Sequence, residues 1–303
     1  MKVACVGEAM IELSLDSAQD TAFLGVAGDT LNTAIYLRRD LPMEHDVAFV
    51  SVLGRDELSD RIMDFIAKHG VSTKSIQRHP DLLPGIYAIS IDDGGERAFS
   101  YWRDNSAART LFQRPDGSTC FDDLEEFDVI YTSAITLAIL PPLQRDRFLD
   151  WIATFQNRGG KFVFDSNFRA RLWQDLGEAR RVVARAWRLC DIGLPSEDDE
   201  RALFGDKTTD EMLERLKGYG LPTGALKRGI CGPLPINAPL DASIEYPPAQ
   251  VVVDTTAAGD SFGGAFLASF LTKGDLNDAM RAGHARASIV VGHRGAIAQD
   301  QDN

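Results

Sequence analysis

The residues best suited to chemistry lie in one short string, residues 254–262, which reads DTTAAGDSF. The string follows the β-branched run 251–253 and leads into the apolar run 262–271, which predicts a strand, a tight turn and a helix. Such a turn aims free backbone N–H groups at an anion, and small side chains let the anion approach. Those small residues are Ala257, Ala258 and Gly259. Asp260 then stands at the helix start, where a carboxylate caps the helix or takes a proton from a hydroxyl. An anion-binding turn beside a base is what phosphoryl transfer to a hydroxyl needs, and plain helix capping is the alternative.

A second string, residues 27–34, reads AGDTLNTA and has polar residues at the start of a predicted helix. Gly28 permits a close approach of the backbone, and Asp29 and Asn32 share one helix face because they are three residues apart. Carboxylate and amide groups there can accept from and donate to sugar hydroxyls. Helix capping by Asp29 is again the simpler alternative.

Two arginines stand where an anionic group of a substrate could be recognised. Arg103 shares a strand face with Tyr101, and Tyr87 lies on the predicted partner strand. Arg169 follows the predicted strand 162–165. The planar guanidinium fork binds a carboxylate through two hydrogen bonds, so two arginines favour a sugar acid over a neutral hexose. The alternative is that both are solvated surface charges.

Composition excludes several other classes of protein. The chain has 303 residues and a net charge of 32 − 45 = −13, which disfavours nonspecific binding to nucleic acid or to acidic membranes. Its 44% apolar and 25% charged residues are typical of a globular protein with a sizeable core. The N-terminus is too short and acidic for a signal peptide, and no apolar run reaches membrane-spanning length. The four cysteines are far apart, so we expect buried free thiols and a cytoplasmic location.

Strand-like and helix-like segments alternate along the chain. We predict strands at 3–6, 47–53, 129–132, 162–165, 192–194 and 225–227, and helices at 29–41, 57–69, 142–157, 176–188 and 209–219. This alternation predicts an α/β fold, with a mainly parallel central sheet and helices on both faces. The strands 86–91 and 98–102, joined by a glycine turn at 92–96, break the alternation and predict a hairpin. We therefore expect a single domain, 1–303, with insertions at about 13–26 and 84–107 that form a small β-sheet lid.

The motifs of several other enzyme classes are absent from the sequence. It contains neither the glycine fingerprint of dinucleotide-binding folds nor the P-loop of other kinases. Zinc-ligand spacing and the nucleophile elbow of hydrolases are also absent.

The strings resemble the signatures of the ribokinase (pfkB) family of sugar kinases. DTTAAGDSF is similar to the family's second signature, D-T-x-G-A-G-D-x-F, and AGDTLNTA is similar to its first. Ala257 replaces the glycine of most members, and we expect an ordinary φ at this position. The string KRGICG at 227–232 matches the family's K-R-G-x-x-G segment. The family's N-x-x-E motif aligns with Ser196 and Asp199, which replace its Asn and Glu.

The resemblance implies roles for these positions. Asp260 would be the catalytic base, and the N–H groups of Ala257, Ala258 and Gly259 would form the anion hole. ATP would contact Asn167, Ser196, Lys227, Gly229, Gly232, Ala257 and Gly259. Asp199 would organise Mg²⁺ through water, and Asp254 and Thr256 would hold a monovalent cation, K⁺.

Further strings are similar to one subfamily, the 2-keto-3-deoxygluconate kinases. They are PGIY at 84–87, the segment from Glu96 to Arg103, NFRARLW at 167–173 and RGAI at 294–297. The sugar-acid pocket would consist of Gly28, Asp29, Asn32, Tyr87, Tyr101, Arg103 and Arg169. The resemblance thus implies an ATP-dependent sugar-acid kinase that acts on a terminal hydroxyl and forms a homo-oligomer through its lid. A fructokinase, another neutral-sugar kinase and a non-catalytic sugar- or nucleotide-binding regulator remain the alternatives.

Overall fold

The computed structural model describes residues 1–16, 21–91, 97–114 and 116–299. The strands of its large sheet are β1 (Lys2–Val6), β4 (Asp46–Leu53), β5 (Ile76–Arg78), β8 (Val129–Ser133), β9 (Lys161–Asp165), β10 (Ile192–Leu194), β11 (Gly224–Leu226) and β12 (Leu234–Ile236). They lie in the order β12-β11-β10-β9-β8-β1-β4-β5, and all pairs are parallel except β11 with β12. The central strands are continuous apolar runs because helices cover both faces of the sheet.

The helices are α1 (Asp29–Asp40), α2 (Glu57–Lys68), α3 (Ala134–Ile139), α4 (Pro142–Asn157), α5 (Leu176–Leu189), α6 (Glu197–Phe204), α7 (Thr209–Gly218), α8 (Ala258–Lys273) and α9 (Leu276–Val290). Alternate residues of β1 enter different cores. Val3 and Cys5 pack with α1, α2, α8 and α9, whereas Ala4 and Val6 pack with α4 and α5 on the other face. Side-chain caps fix several helix starts, since Asp56, Asp175 and Asp275 each accept a backbone N–H of the first turn.

A separate small sheet consists of β2 (Met10–Asp16), β3 (Thr21–Ala27), β6 (Gly85–Ile91) and β7 (Arg97–Trp102). Its order is β3-β2-β6-β7. Tyr87 and Tyr101 are paired across β6 and β7, so both rings lie on one face, with their centroids 5.6 Å apart. The first hairpin begins at Met10, directly after β1, which is earlier than predicted. The predicted turn at 92–96 and the residues 17–20 lie outside the described residues.

The predicted helices and strands of the large sheet are confirmed to within one or two residues. The predicted strand at 251–253 is wrong. These valines are 47–61% exposed, and the Val253 N–H donates to the Val291 carbonyl beyond α9 rather than to a strand. Helices α3, α6 and α9 and the short strands β5 and β12 were not predicted. In α9 the apolar face is built mostly of alanine and glycine, which weakens its hydrophobic periodicity.

Two further predictions concern the burial of the cysteines and the absence of membrane-spanning segments. All four cysteines are free, as expected, but the expectation of burial holds for Cys5 and Cys190 only, since Cys120 is half-buried and Cys231 is exposed. Burial raises the pKa of the Cys190 thiol. Within the described ranges, every helix is too short or too polar to cross a bilayer.

Candidate active site

A cavity of about 1310 Å³ opens at the carboxyl ends of the parallel strands, between the large sheet and the small sheet. The cavity is lined by Asp165 at the end of β9, by Ser196 just after β10 and by Lys227 just after β11. Ligands of open parallel sheets bind at this edge. Most predicted site residues line the cavity: Gly28, Asp29, Asn32, Tyr87, Tyr101, Arg103, Asn167, Arg169, Ser196, Asp199, Lys227, Gly229, Thr256, Ala257, Ala258, Gly259 and Asp260. Gly232 and Asp254 are not among its lining residues.

The small-residue turn forms the N-terminus of α8, as its sequence predicts. Ala257 is the N-cap residue and has φ 59° and ψ 14°, so the expectation of an ordinary φ is wrong. An alanine in this left-handed region costs roughly 1–2 kcal/mol. The strain is local, because the Ser261 N–H still donates to the Ala257 carbonyl at 2.8 Å and closes the first turn. The turn lines the cavity, where an anion can bind, but the Ala258 N–H donates to the Thr255 carbonyl at 3.2 Å, which leaves the backbone N–H groups of Ala257, Gly259 and Asp260 as the candidates for contact with an anion.

Asp260 lies in the first turn of α8 and is held by α1. The Asn32 side-chain amide donates to its carboxylate at 2.9 Å, and the Thr33 hydroxyl donates to its backbone carbonyl at 3.2 Å. Burial, and next the charge of Asp29, raise the pKa of Asp260 to about 8, against the lowering effects of Asn32 and Lys227. A carboxyl group that titrates near neutral pH is suited to act as a general base.

A polar network lies beside Asp260. Lys227 pairs with Asp165 at 2.6 Å, and Asn167 bridges two carboxylates, since its backbone N–H donates to Asp165 and its side chain donates to Asp29. The Ser133 hydroxyl also donates to Asp29. Burial raises the pKa of Asp29, although the Ser133 hydrogen bond lowers it.

Lys227, which the resemblance assigns to the nucleotide, lines the cavity. It lies beside the anion-binding turn, because a Cβ added at Gly259 would be 3.4 Å from the Lys227 ammonium. Sequence reasoning also missed Asp165. The signal was available, since a carboxylate at the carboxyl end of a buried parallel strand points to the ligand edge of the sheet.

The small sheet contributes an aromatic wall, and two carboxylates that sequence reasoning did not select hold its polar side chains, the half-buried Glu12 of β2 and the buried Glu8 just before that strand. Tyr87 donates to Glu12. Arg103 forms a buried ion pair with Glu8, which also accepts the Ser106 hydroxyl at 2.5 Å. Arg103 thus sits at the cavity with its charge already balanced.

The sequence analysis assigned Arg169 to the sugar acid and Asp199 to Mg²⁺, but the two side chains are paired with each other. One Arg169 nitrogen lies 3.2 Å from the Asp199 carboxylate and also donates to the Phe168 carbonyl at 2.7 Å. Burial raises the pKa of Asp199, and Arg169 opposes that rise. The Ser196 N–H donates to the Ser166 hydroxyl at 2.8 Å.

Three further site residues have positions explained by packing. A Cβ at Gly28 would lie 2.2 Å from the Glu8 carbonyl, and one at Gly232 would lie 2.7 Å from Tyr246, so backbone approach to protein atoms requires both glycines. The Asp254 carboxylate accepts the N–H groups of Thr256 and Gly295, each at 2.9 Å. It thereby ties the anion-binding turn to the C-terminal loop.

The chain is similar to known proteins along its whole length. The family model described as pfkB family carbohydrate kinase matches residues 1–303. The chain is 42% identical to the 2-dehydro-3-deoxygluconokinase of Dickeya dadantii, covering 97% of this chain and 96% of that protein. It is 38% identical to the enzyme of the same name from Escherichia coli, covering 98% and 96%.

Solved structures confirm the predicted ribokinase-like fold. A fructokinase with bound ATP from Xylella fastidiosa superposes with a TM-score of 0.81 at 20% identity, covering 97% of this chain and 93% of that one. A 2-dehydro-3-deoxygluconokinase from Thermotoga maritima gives 0.78 at 22% identity, covering 98% and 96%. The match of the family model over the whole length and the identities near 40% show that the chain belongs to the pfkB family of carbohydrate kinases.

Proposed function

We propose that this protein is an ATP-dependent kinase that phosphorylates the terminal hydroxyl of 2-dehydro-3-deoxygluconate (2-keto-3-deoxygluconate), giving 2-keto-3-deoxy-6-phosphogluconate. The chemistry is supported above all by the position of Asp260. Its carboxyl group has a pKa of about 8 and lies in the first turn of α8, next to the small-residue turn that can bind an anion. The choice of sugar is supported by four relatives of that name, 37–42% identical over nearly the whole chain.

In this proposal Asp260 accepts the proton of the sugar hydroxyl as the hydroxyl oxygen attacks the γ-phosphorus of ATP. The N–H groups of Ala257, Gly259 and Asp260 bind the phosphoryl oxygens and stabilise the developing charge. Lys227 is near enough to the same turn to contribute a positive charge. Asn167, Ser196, Gly229 and Gly232 would position the rest of the nucleotide.

Two cations complete the proposal. Mg²⁺ supplies charge neutralisation on the phosphates and is commonly held by one carboxylate together with phosphate oxygens, which fits Asp199 at the cavity wall. Within the described part of the chain, no cluster of three His, Cys, Asp or Glu side chains is arranged to hold a metal ion alone. Asp254 and Thr256 offer the oxygen atoms that K⁺ prefers, and a potassium-bound fructokinase of Vibrio cholerae has the same fold.

The small sheet would act as a lid over the sugar, with the insertions at about 13–26 and 84–107 in one domain. Gly28, Asp29, Asn32, Tyr87, Tyr101, Arg103 and Arg169 would line the sugar pocket. Closure excludes water, which would otherwise accept the phosphoryl group.

Phe23 and Trp102, on the two outer strands of this sheet, are 72% and 61% exposed, which supports pairing of lids between two copies. Light scattering of wild type and Phe23→Lys tests that pairing. A cytoplasmic location stays a prediction.

A coupled assay of ADP release with 2-keto-3-deoxygluconate, fructose and ribose tests the function. We expect the highest kcat/KM for the sugar acid, and Asp260→Asn should abolish most turnover while keeping sugar binding. Preference for fructose would replace the proposal with a fructokinase. Binding of sugar or ATP without turnover of any sugar would instead indicate a regulator.

A further inference from the structure

Asp165, the last residue of β9, is a buried carboxylate at the cavity to which the proposed function gives no role. Its side chain is 2% exposed. Its Oδ2 atom accepts from the Lys227 ammonium at 2.6 Å and from the Tyr131 hydroxyl at 3.3 Å, and its Oδ1 atom accepts the Asn167 N–H at 3.2 Å. Because protein donors hold both oxygens, the carboxylate has a fixed orientation.

The partner of Asp165, Lys227, directs its charge at the anion-binding turn. Its ammonium lies 3.4 Å from the position that a Cβ of Gly259 would occupy. Among the described residues outside this turn, no other side chain comes within 4 Å of that position, so the positive end of the Lys227–Asp165 pair is the end nearer the turn. A lysine side chain is long and flexible, and a fixed anionic partner keeps its charge in one place.

Tyr131, on β8, supports Asp165 from inside the protein. Its side chain is fully buried, and burial raises the pKa of its hydroxyl, so the phenol keeps the proton that it donates to Asp165. The Tyr131 hydroxyl also lies 3.1 Å from the hydroxyl of Thr33 on α1, which in turn lies 3.2 Å from the backbone carbonyl of Asp260. One buried polar network therefore reaches both the partner of Lys227 and the first turn of α8.

We propose that Asp165, oriented by Tyr131, is a positioning residue for phosphoryl transfer, which holds the Lys227 ammonium beside the anion-binding turn. This inference rests on the proposed function. Asp165 acts through Lys227 and does not itself bind ATP, since its negative charge would repel the phosphates. Its contribution should therefore appear in kcat and leave the KM for ATP unchanged.

The test compares Asp165→Asn, Lys227→Met and the double variant with wild type. The charge of Asp165 also raises the pKa of Asp260, so kcat is taken from the upper plateau of each variant's pH profile. We expect Lys227→Met to lower kcat roughly 100-fold or more, the loss typical of one group that stabilises transition-state charge. Asp165→Asn should lower it roughly 5- to 10-fold, because a neutral amide oxygen holds the ammonium less strongly than a carboxylate does.

The double variant distinguishes positioning from an independent role. If Asp165 acts through Lys227, Asp165→Asn should have no further effect once Lys227 is methionine, so the double variant should match Lys227→Met. The KM for ATP and for the sugar should stay within about threefold of wild type in Asp165→Asn. The Mg²⁺ concentration at half-maximal activity should also stay unchanged.

Two further variants complete the experiment. Tyr131→Phe keeps the buried ring and removes one hydrogen bond to Asp165, so it should lower kcat roughly two- to fivefold, again only when Lys227 is present. The matched control is Asp191→Asn. Asp191 also accepts a backbone N–H of β9, that of Phe162 at 2.7 Å, but at the opposite end of the strand and away from the cavity lining. Its removal should leave the kinetics at wild-type values.

A further loss of kcat when Asp165→Asn is added to Lys227→Met would overturn the inference, and so would a kcat of Asp165→Asn within twofold of wild type. An increased Mg²⁺ requirement confined to Asp165→Asn would make Asp165 a metal ligand and would also overturn it. Failure of the proposed function has a different signature, because wild type itself would then favour fructose over the sugar acid or turn over no sugar at all.

Discussion

The rate of phosphoryl transfer should rise steeply through neutral pH, because the proposed base is mostly protonated there. With a pKa of about 8, Asp260 is ionised in about 9% of molecules at pH 7, half at pH 8 and about 91% at pH 9. If the ionised form alone is active, kcat/KM increases about tenfold between pH 7 and pH 9. The phosphate groups of ATP titrate near pH 6, so this range isolates the enzyme.

Two substitutions should move this profile in opposite directions. Asp29→Asn removes the negative charge that most raises the Asp260 pKa after burial, so the midpoint should shift to lower pH. Lys227→Met removes a charge that lowers that pKa, so the midpoint should shift to higher pH. Because Asp29 has the larger influence, its shift should be the larger, and each full unit corresponds to about 1.4 kcal/mol.

The assay is ADP release measured from pH 7 to pH 10, with each variant normalised to its own plateau. Normalisation separates the midpoint from any loss of binding that the substitution causes. Asp260→Asn should give a low and flat profile. A wild-type profile that is flat from pH 7 to pH 10, or an upward shift for Asp29→Asn, would refute the assignment of the rising limb to Asp260.

Three further predictions concern stability, each measured by urea unfolding. At pH 7, Asp260→Asn should raise the free energy of unfolding by up to about 4 kcal/mol, since the folded pKa of about 8 exceeds the unfolded value near 3.9. The gain should shrink as the pH falls and vanish near pH 2, about two units below the unfolded pKa, where both states hold the proton. Ala257→Gly should add about 0.5–1 kcal/mol by relieving the left-handed alanine, and a loss would show that the strain is compensated. Glu8→Ala should cost about 3–5 kcal/mol by leaving the buried Arg103 unpaired, and Glu8→Gln should cost less; a near-neutral Glu8→Ala would mean that water or another group replaces the carboxylate.

Local sequence patterns predicted most of the architecture, because they report interactions between near neighbours in the chain. The helices with a strong apolar stripe and a side-chain cap, such as α2 and α5, begin at the predicted residues. The run 251–253 shows the limit of this reasoning. Its β-branched residues favour an extended chain, but a strand also needs a partner, and here the backbone meets the end of α9.

The candidate site was likewise predictable where its residues are neighbours in the sequence. The sequence alone predicted the small-residue turn and the acidic helix start within residues 254–262, since small residues before an acidic helix start are contiguous and have a direct physical meaning. It also placed Asp29, Asn32 and Tyr101 at the correct edge, and the structure shows them lining one cavity.

Only the tertiary structure determined which charged and polar side chains of the site are paired with each other. Asn32 reaches Asp260 across 228 residues of sequence, and Arg103 meets Glu8 across 95. Whether an arginine is neutralised by a carboxylate or left to bind a ligand depends on which backbone segments the fold brings together, and spacing along the chain does not encode that. For the same reason the sequence selected Arg103 and Arg169 as free cations, whereas the folded chain pairs them with Glu8 and Asp199.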